Sequence, residues 1–209
     1  FSLMPTYKLI YFDVRARGEV ARQLLHLSDT PFDDERVAFS DWRKRKGSTP
    51  FGQLPVLEVD GWPIPTSLAI NRFLAKQFGF AGKTPFEEAL VDALADQWMD
   101  YFEEVKLFLL AANGILPGGA TDAVKARAEA AIALHLPLFE KFVKEHGSYG
   151  YCVGSSLSWV DLLLTDHFRS LLKFFPDAMN GYPTLQGVSK MADGNAKLNE
   201  WRNAHNEPF

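Results

Sequence analysis

Cysteine is nearly absent: Cys152 is the single thiol in a chain of 209 residues. One thiol excludes an internal disulfide and dithiol exchange within the chain, and its scarcity suits a reducing compartment. Also lacking is any stretch of about 18 apolar residues able to cross a bilayer. The opening Phe1-Ser2-Leu3-Met4 has no basic segment leading into an apolar run, so no secretory signal is read there. These absences set the expectation of a soluble, cytoplasmic protein with no membrane partner. Positive charge is not in excess either: 22 Lys and Arg stand against 26 Asp and Glu, for a formal net charge of -4. A polyanion binder needs a broad basic surface, so nucleic acid is not an expected partner. No internal repeat or low-complexity tract is present.

What the chain does have is apolar content, 47%, which is ample for a packed core. The pattern changes along its length. Tyr7 to Phe12 is a compact apolar-rich run suited to a strand, and Gly18 to Leu27 carries helical spacing. A second extended run is read at Arg36 to Phe39. Val56-Leu57-Glu58-Val59 then leads into Asp60-Gly61, a two-residue hairpin signal before Trp62. A helix from Leu68 to Phe78 stops at Gly79. Beyond Pro85 no strand alternation recurs. Thr84-Pro85-Phe86-Glu87 and Ser158-Trp159-Val160-Asp161 both have the form of a capping box at a helix start. An Ala-rich helix should follow Thr121, with Pro137 kinking it, and shorter helices should surround Val188 and Trp201. The expected organisation is α+β: residues 1–80 as a mixed domain, 81–85 as a linker, and 86–209 as an all-helical domain.

Several side chains are placed where chemistry is common. Tyr11 ends the first strand, directly before Asp13-Val14-Arg15-Ala16-Arg17-Gly18. Its hydroxyl could donate a hydrogen bond to a thiolate, or it could be an ordinary strand-end aromatic. Pro55 precedes the hairpin strand, as a turn proline or as a cis residue that turns the backbone of Leu54 towards an extended ligand. Ser67 is read as the N-cap of the helix at Leu68, where free N–H groups and the helix dipole attract a carboxylate. Trp42-Arg43-Lys44-Arg45-Lys46 is the one concentrated basic run. It is a solvated face, a nuclear localisation signal, or an anchor for a second carboxylate through Lys46 and the Trp42 indole. Cys152 reads as a small buried hydrophobe, with a reactive thiol as the alternative.

In their order along the chain, Tyr11, Trp42 with Lys46, Phe51-Gly52-Gln53-Leu54-Pro55 and Ser67-Leu68-Ala69-Ile70 resemble the glutathione site of glutathione transferases. Met4-Pro5-Thr6-Tyr7-Lys8-Leu9-Ile10-Tyr11-Phe12 and the segment from Pro50 to Gly61 are similar to the sigma class. That class includes glutathione-dependent prostaglandin D synthase and many invertebrate enzymes. The similarity continues through Ala93 to Asp96 and Ser158 to Asp161, and so covers nearly the whole chain.

The resemblance implies a thioredoxin-like first domain, a helical second domain and a homodimer. Tyr11 would stabilise the glutathione thiolate, with Arg17 adding positive charge beside it. Trp42 and Lys46 would hold the glycine carboxylate, and Leu54, ahead of cis Pro55, would pair with the cysteinyl backbone. Ser67 would take the γ-glutamyl carboxylate, with Gln53 and Thr66 lining the same site. Thr66 stands where glutamine is usual, so a contact is expected to be lost. Asp100, with Asp96 as the alternative, would reach the partner subunit's glutathione. Small hydrophobic electrophiles would lie against Phe12, Val14, Phe102, Leu107, Leu163 and Phe209. Leu107 replaces the tryptophan of the prostaglandin synthases, and Met99 interrupts their acidic cluster, so no metal is expected. The implied activity is conjugation of glutathione, the co-substrate, to electrophiles, with peroxidase or isomerase side reactions. The alternative is a non-catalytic ligand-binding or structural relative on the same fold.

Overall fold

The computed structural model describes residues 5–205. Two compact units form. Of the described residues, the first holds 5–80 and 200–205, and the second holds Ala81–Asn199.

In the first unit the order is β1 (Tyr7–Phe12), α1 (Glu19–Leu27), β2 (Phe32–Val37), α2 (Phe39–Arg45), β3 (Val56–Val59), β4 (Trp62–Pro65) and α3 (Ser67–Phe78). The strands lie in the order β2-β1-β3-β4. β1 pairs parallel with β2, which requires the α1 crossover, and antiparallel with β3. Leu9 and Leu57 face each other across this ladder and are fully buried, as are Leu24 and Leu25 of α1 and Ile70 and Leu74 of α3. α1 packs on α3, so these residues form the core on one face of the sheet. The β3–β4 turn uses Asp60 and Gly61, both at positive φ (50° and 83°), as a two-residue hairpin loop demands. Asp60 also accepts hydrogen bonds from the N–H and hydroxyl of Thr6, at 2.8 and 3.0 Å. β4 tolerates Pro63 and Pro65 because it is an edge strand.

β2 is not where apolar content suggested. It occupies Phe32–Val37 rather than Arg36 to Phe39, and Phe39 opens α2 instead. Its middle is Asp33-Asp34-Glu35-Arg36, charge tolerated because β2 is the other edge strand. Lys8 on β1 pairs with Glu35 at 2.6 Å and Asp33 at 3.9 Å.

The second unit holds α4 (Pro85–Ala112), α5 (Asp122–His146), α6 (Trp159–Leu171), α7 (Pro183–Asp193) and the first residues of α8 (Ala196–Ala204). α4 packs on α5 and α6, and α7 packs on the same two. Pro85 takes the first helical position of α4, and the Thr84 hydroxyl accepts the Glu87 N–H at 3.1 Å. The Glu87 carboxylate reaches back one residue further than a standard capping box, to the Lys83 N–H at 2.7 Å. α5 continues through Pro137 without ending there. α6 is buried on nearly every side, and Asp161 caps it by accepting from the N–H and hydroxyl of Ser158, each at 2.7 Å. Among the described residues no helix is long and apolar enough to cross a membrane.

Candidate functional site

Tyr11 is the penultimate residue of β1, and its ring is almost wholly buried. The chain then turns sharply through Asp13 to Gly18 before α1 begins. That turn brings the backbone N–H of Arg17 to the Tyr11 hydroxyl at 3.2 Å. Ala16 makes the turn possible by adopting a φ of 33°. A positive φ in a residue with a Cβ costs on the order of 1–3 kcal/mol and persists only where the surroundings impose it. Gly18 is required for a different reason: a Cβ there would lie 2.4 Å from Cδ1 and 2.8 Å from Cγ of Tyr11.

Burial pushes the Tyr11 phenol above its ordinary value, against the Arg17 N–H and the charges of Arg17 and Arg22, which pull it down. The phenol therefore keeps its proton at neutral pH. A hydroxyl has one proton to donate and two lone pairs. With the Arg17 N–H engaging a lone pair, the proton is available for a bound anion, and the N–H polarises the O–H bond in the direction that strengthens the donation.

The other glutathione-site candidates in this unit lie on α2, its trailing loop, and the start of α3. Phe12 stacks on Phe39 with centroids 4.5 Å apart and meets Trp42 edge-on at 5.5 Å, which holds α2 against the end of β1. Lys46 is exposed, and its stem lies over Gly52: a Cβ on Gly52 would sit 3.3 Å from the lysine Cε. Gln53 is exposed. The Leu54–Pro55 bond is cis, and Leu54 lies just outside the ladder, which begins at Val56. Trp42 and Leu54 both line a cavity of about 440 Å³ between the α2 segment and the sheet residues Ile10, Glu35 and Glu58. Tyr11 alternates with Ile10 along β1 and so faces away from this cavity.

Ser67 is not the N-cap of α3. It is the first helical residue and is buried, while Thr66 occupies the cap position with φ 70° and no side-chain capping bond. A β-branched residue at this φ is a marked backbone outlier. The unusual conformation leaves Thr66 exposed beside Ser67, and its carbonyl accepts the first helical N–H, from Ile70, at 3.0 Å.

In the helical unit, Asp96 and Asp100 are exposed one turn apart on α4. Phe102 is buried and stacks on Trp98 at 4.6 Å, and Leu163 is also buried. Leu107 is 44% exposed. Val14, in the first unit, is buried. Phe209 lies outside the described residues. Cys152 is fully buried, and its thiol is pushed up by burial and by Asp161, so it stays protonated and inert. Among the described residues no group of three or more His, Cys, Asp or Glu side chains could hold a metal ion.

Sequence reasoning gave no role to Ala16, Gly18 or Arg22. The Arg22 guanidinium lies 5.7 Å from the Tyr11 ring centroid, one turn into α1. The signal available was the dense Arg15-Ala16-Arg17-Gly18 turn itself, which has too many special residues for a plain connection.

Residues 7–76 match the family model described as glutathione S-transferase, N-terminal domain, and residues 119–205 match that described as glutathione S-transferase, C-terminal domain. Over 183 residues the chain is 45% identical to glutathione S-transferase 1 of Ascaris suum, covering 88% of each. A solved structure of a monomeric glutathione S-transferase from the hookworm Necator americanus is similar at a TM-score of 0.87 and 39% identity, over 95% of this chain and 97% of that one. A Nu-class glutathione S-transferase from Haemonchus contortus is similar at a TM-score of 0.83 and 37% identity, over 97% and 98% of the two chains. The chain belongs to the glutathione S-transferase family and is a glutathione transferase, an enzyme that conjugates glutathione to electrophiles.

Proposed function

We propose that Tyr11 supplies the hydrogen bond that holds the glutathione sulfur as a thiolate, ready to attack a hydrophobic electrophile. The observation that carries this reading is the buried, protonated phenol whose oxygen already accepts the Arg17 N–H at 3.2 Å. A charge-assisted hydrogen bond contributes roughly 1.5–3 kcal/mol, and at about 1.36 kcal/mol per pKa unit this lowers a thiol by about one to two units. That shift makes a substantial fraction of bound glutathione nucleophilic near neutrality. Arg17 adds positive charge to the same spot.

The rest of the tripeptide is assigned by the order of residues along the chain. Trp42 and Lys46 hold the glycine carboxylate, Leu54 pairs with the cysteinyl backbone, and Ser67 with Thr66 and Gln53 surrounds the γ-glutamyl group. Asp100 serves the partner subunit of a homodimer. The enzyme is read as sigma-class and cytosolic, with no metal requirement, and the second substrate is assigned to the apolar residues Phe12, Val14, Phe102, Leu107, Leu163 and Phe209. Sedimentation at micromolar concentration tests the dimer; a monomer, as in the Necator americanus relative, would remove Asp100 from the site.

The decisive experiment is a pH titration of thiolate absorbance for glutathione bound to the wild type and to Tyr11→Phe. The expected wild-type value lies one to two units below free glutathione and rises in the variant. An unshifted thiol in both proteins would overturn the assignment of Tyr11.

A further inference from the structure

Arg22 is among the most deeply buried charged side chains of the protein, and glutathione chemistry alone gives it no part. Each of its three nitrogens donates a hydrogen bond. Nη1 donates to the carbonyl oxygen of Val14 at 2.7 Å, Nη2 donates to that of Phe12 at 3.2 Å, and Nε donates to Asp34 at 3.1 Å. The two carbonyls flank Asp13, in the stretch where the chain leaves β1 immediately after Tyr11. One planar group thus pins both sides of the first bend leading to Arg17. A guanidinium can do this because its donors are fixed in a fork; an ammonium offers a point charge without that geometry.

Arg22 is itself held from behind. The Glu19 carboxylate, 1% exposed, lies 3.6 Å from Nη1. Glu19 in turn accepts from the Gln23 side chain at 3.1 Å and from the Trp201 indole N–H at 2.7 Å. Trp201 belongs to the last turns of α8 and lies within 5.2 Å of the His26 ring and 3.7 Å of the His205 ring, centroid to centroid. On the other side Asp34 accepts from Arg36 at 2.6 Å. Buried charges with this many partners are sensitive to loss of any one of them, because the remaining members are left uncompensated.

We infer that Arg22 is a positioning residue for catalysis: by gripping the Phe12 and Val14 carbonyls it fixes the turn that presents the Arg17 N–H to Tyr11, with the Glu19–Trp201 pair locking it in place. The inference rests on the assignment of Tyr11 above. Arg22 touches no substrate. Its effect is on the direction of the Tyr11 hydroxyl, where displacements of about 1 Å can cost on the order of 100-fold in rate. The carboxyl-terminal helix thereby takes part in catalysis through Trp201.

The test compares wild type, Tyr11→Phe, Arg22→Lys and Trp201→Phe in the thiolate titration and in steady-state kinetics with a chromogenic electrophile, each checked for folding by circular dichroism. Arg22→Lys keeps a positive charge near the Tyr11 ring and loses the fork. The expected result is a kcat about tenfold lower or more, a KM for glutathione changed by less than about threefold, and a bound-thiol pKa moved towards that of free glutathione. Trp201→Phe, which deletes one N–H and keeps an aromatic, should move the thiol pKa in the same direction by less. If folded Arg22→Lys and Trp201→Phe titrate as wild type while Tyr11→Phe does not, Arg22 is structural only and the inference fails alone. If Tyr11→Phe also titrates as wild type, the assignment of Tyr11 fails and this inference with it. Should Arg22→Lys not fold, the Trp201→Phe titration decides.

Discussion

Tyr11 and Tyr101 are the same side chain at nearly the same burial, 6% and 0% exposed, in different company. Tyr101, on α4, has burial alone acting on its phenol, which is pushed far above its ordinary value. Its hydroxyl meets Nε2 of His167 at 3.0 Å, and that imidazole is itself pushed down to about 3 by burial. The pair is neutral and surrounded by the rings of Trp98, Phe102 and Phe139. Tyr11 instead has a backbone N–H on its oxygen and two guanidinium charges opposing the effect of burial. On the role proposed for Tyr11, this is the difference between a phenol that holds a thiolate and a structural one. It is a turn and a helix that aim donors and cations at the oxygen, because burial by itself only silences it.

The largest effect should come from exchanging one atom in each tyrosine. Tyr11→Phe should lower kcat/KM by about 10- to 150-fold, the loss of roughly 1.5–3 kcal/mol of charge-assisted bonding, with little change in melting temperature. Tyr101→Phe should do the reverse. It leaves the His167 ring without its hydrogen bond and should cost about 1–3 kcal/mol of stability at unchanged activity. Loss of activity in Tyr101→Phe at full stability would erase the distinction.

Next comes the pH dependence of the neutral pair. The folded His167 has its pKa lowered to about 3 from an ordinary 6.5, so between these values the unfolded chain holds a proton that the folded chain refuses. Its contribution to stability is therefore complete above about pH 6.5 and is lost as pH falls towards 3, at about 1.4 kcal/mol per unit, or roughly 2 kcal/mol by pH 5. Urea unfolding at pH 7 and pH 5 should show this loss in wild type and a smaller one in His167→Asn. Equal losses in the two proteins would show that the imidazole is not the cause.

Gly18→Ala sharpens the comparison from the Tyr11 side. The new methyl meets the ring at 2.4 Å and must push it, so kcat should fall by about tenfold while glutathione affinity, measured by calorimetry, changes little. The smallest effect is expected at Thr66→Gln. Restoring an amide beside Ser67 should tighten glutathione binding by a few-fold, on the order of one hydrogen bond. Equal affinities would remove Thr66 from the account of the site.

Much of this architecture could be read in the sequence because its causes are local. The bounds of β1 coincide with the apolar run at Tyr7–Phe12, the Asp60-Gly61 turn supplies the two positive φ values it advertised, and the caps at Thr84 and Ser158 start the helices expected of them. Two buried carboxylates mark the limit. Asp161 is satisfied by Ser158 and by the Cys152 N–H at 2.7 Å, all within nine residues, and its role was legible as a capping box. Glu19 accepts the Trp201 indole N–H, 182 residues away, and no local pattern announces that bond. Gly18 under the Tyr11 ring and the grip of Arg22 on Phe12 and Val14 are close in sequence, but they follow no standard capping or turn pattern that would announce them. β2 escaped for another reason: its edge position let four successive charged residues form a strand without an apolar signature. Ser67 slipped by one place because Thr66 adopts a φ that residue statistics discourage.

The bond between Trp201 and Glu19 also bears on how the protein is made. A nascent chain emerges amino-terminus first, and its leading domain can fold while the remainder is still being translated. Here the first unit takes residues from both ends of the chain, so a ribosome-bound chain exposes Tyr11, Arg17 and Arg22 long before Trp201 leaves the exit tunnel. Its buried carboxylate then lacks the indole donor. The core around Glu19 is thus synthesised early and completed late.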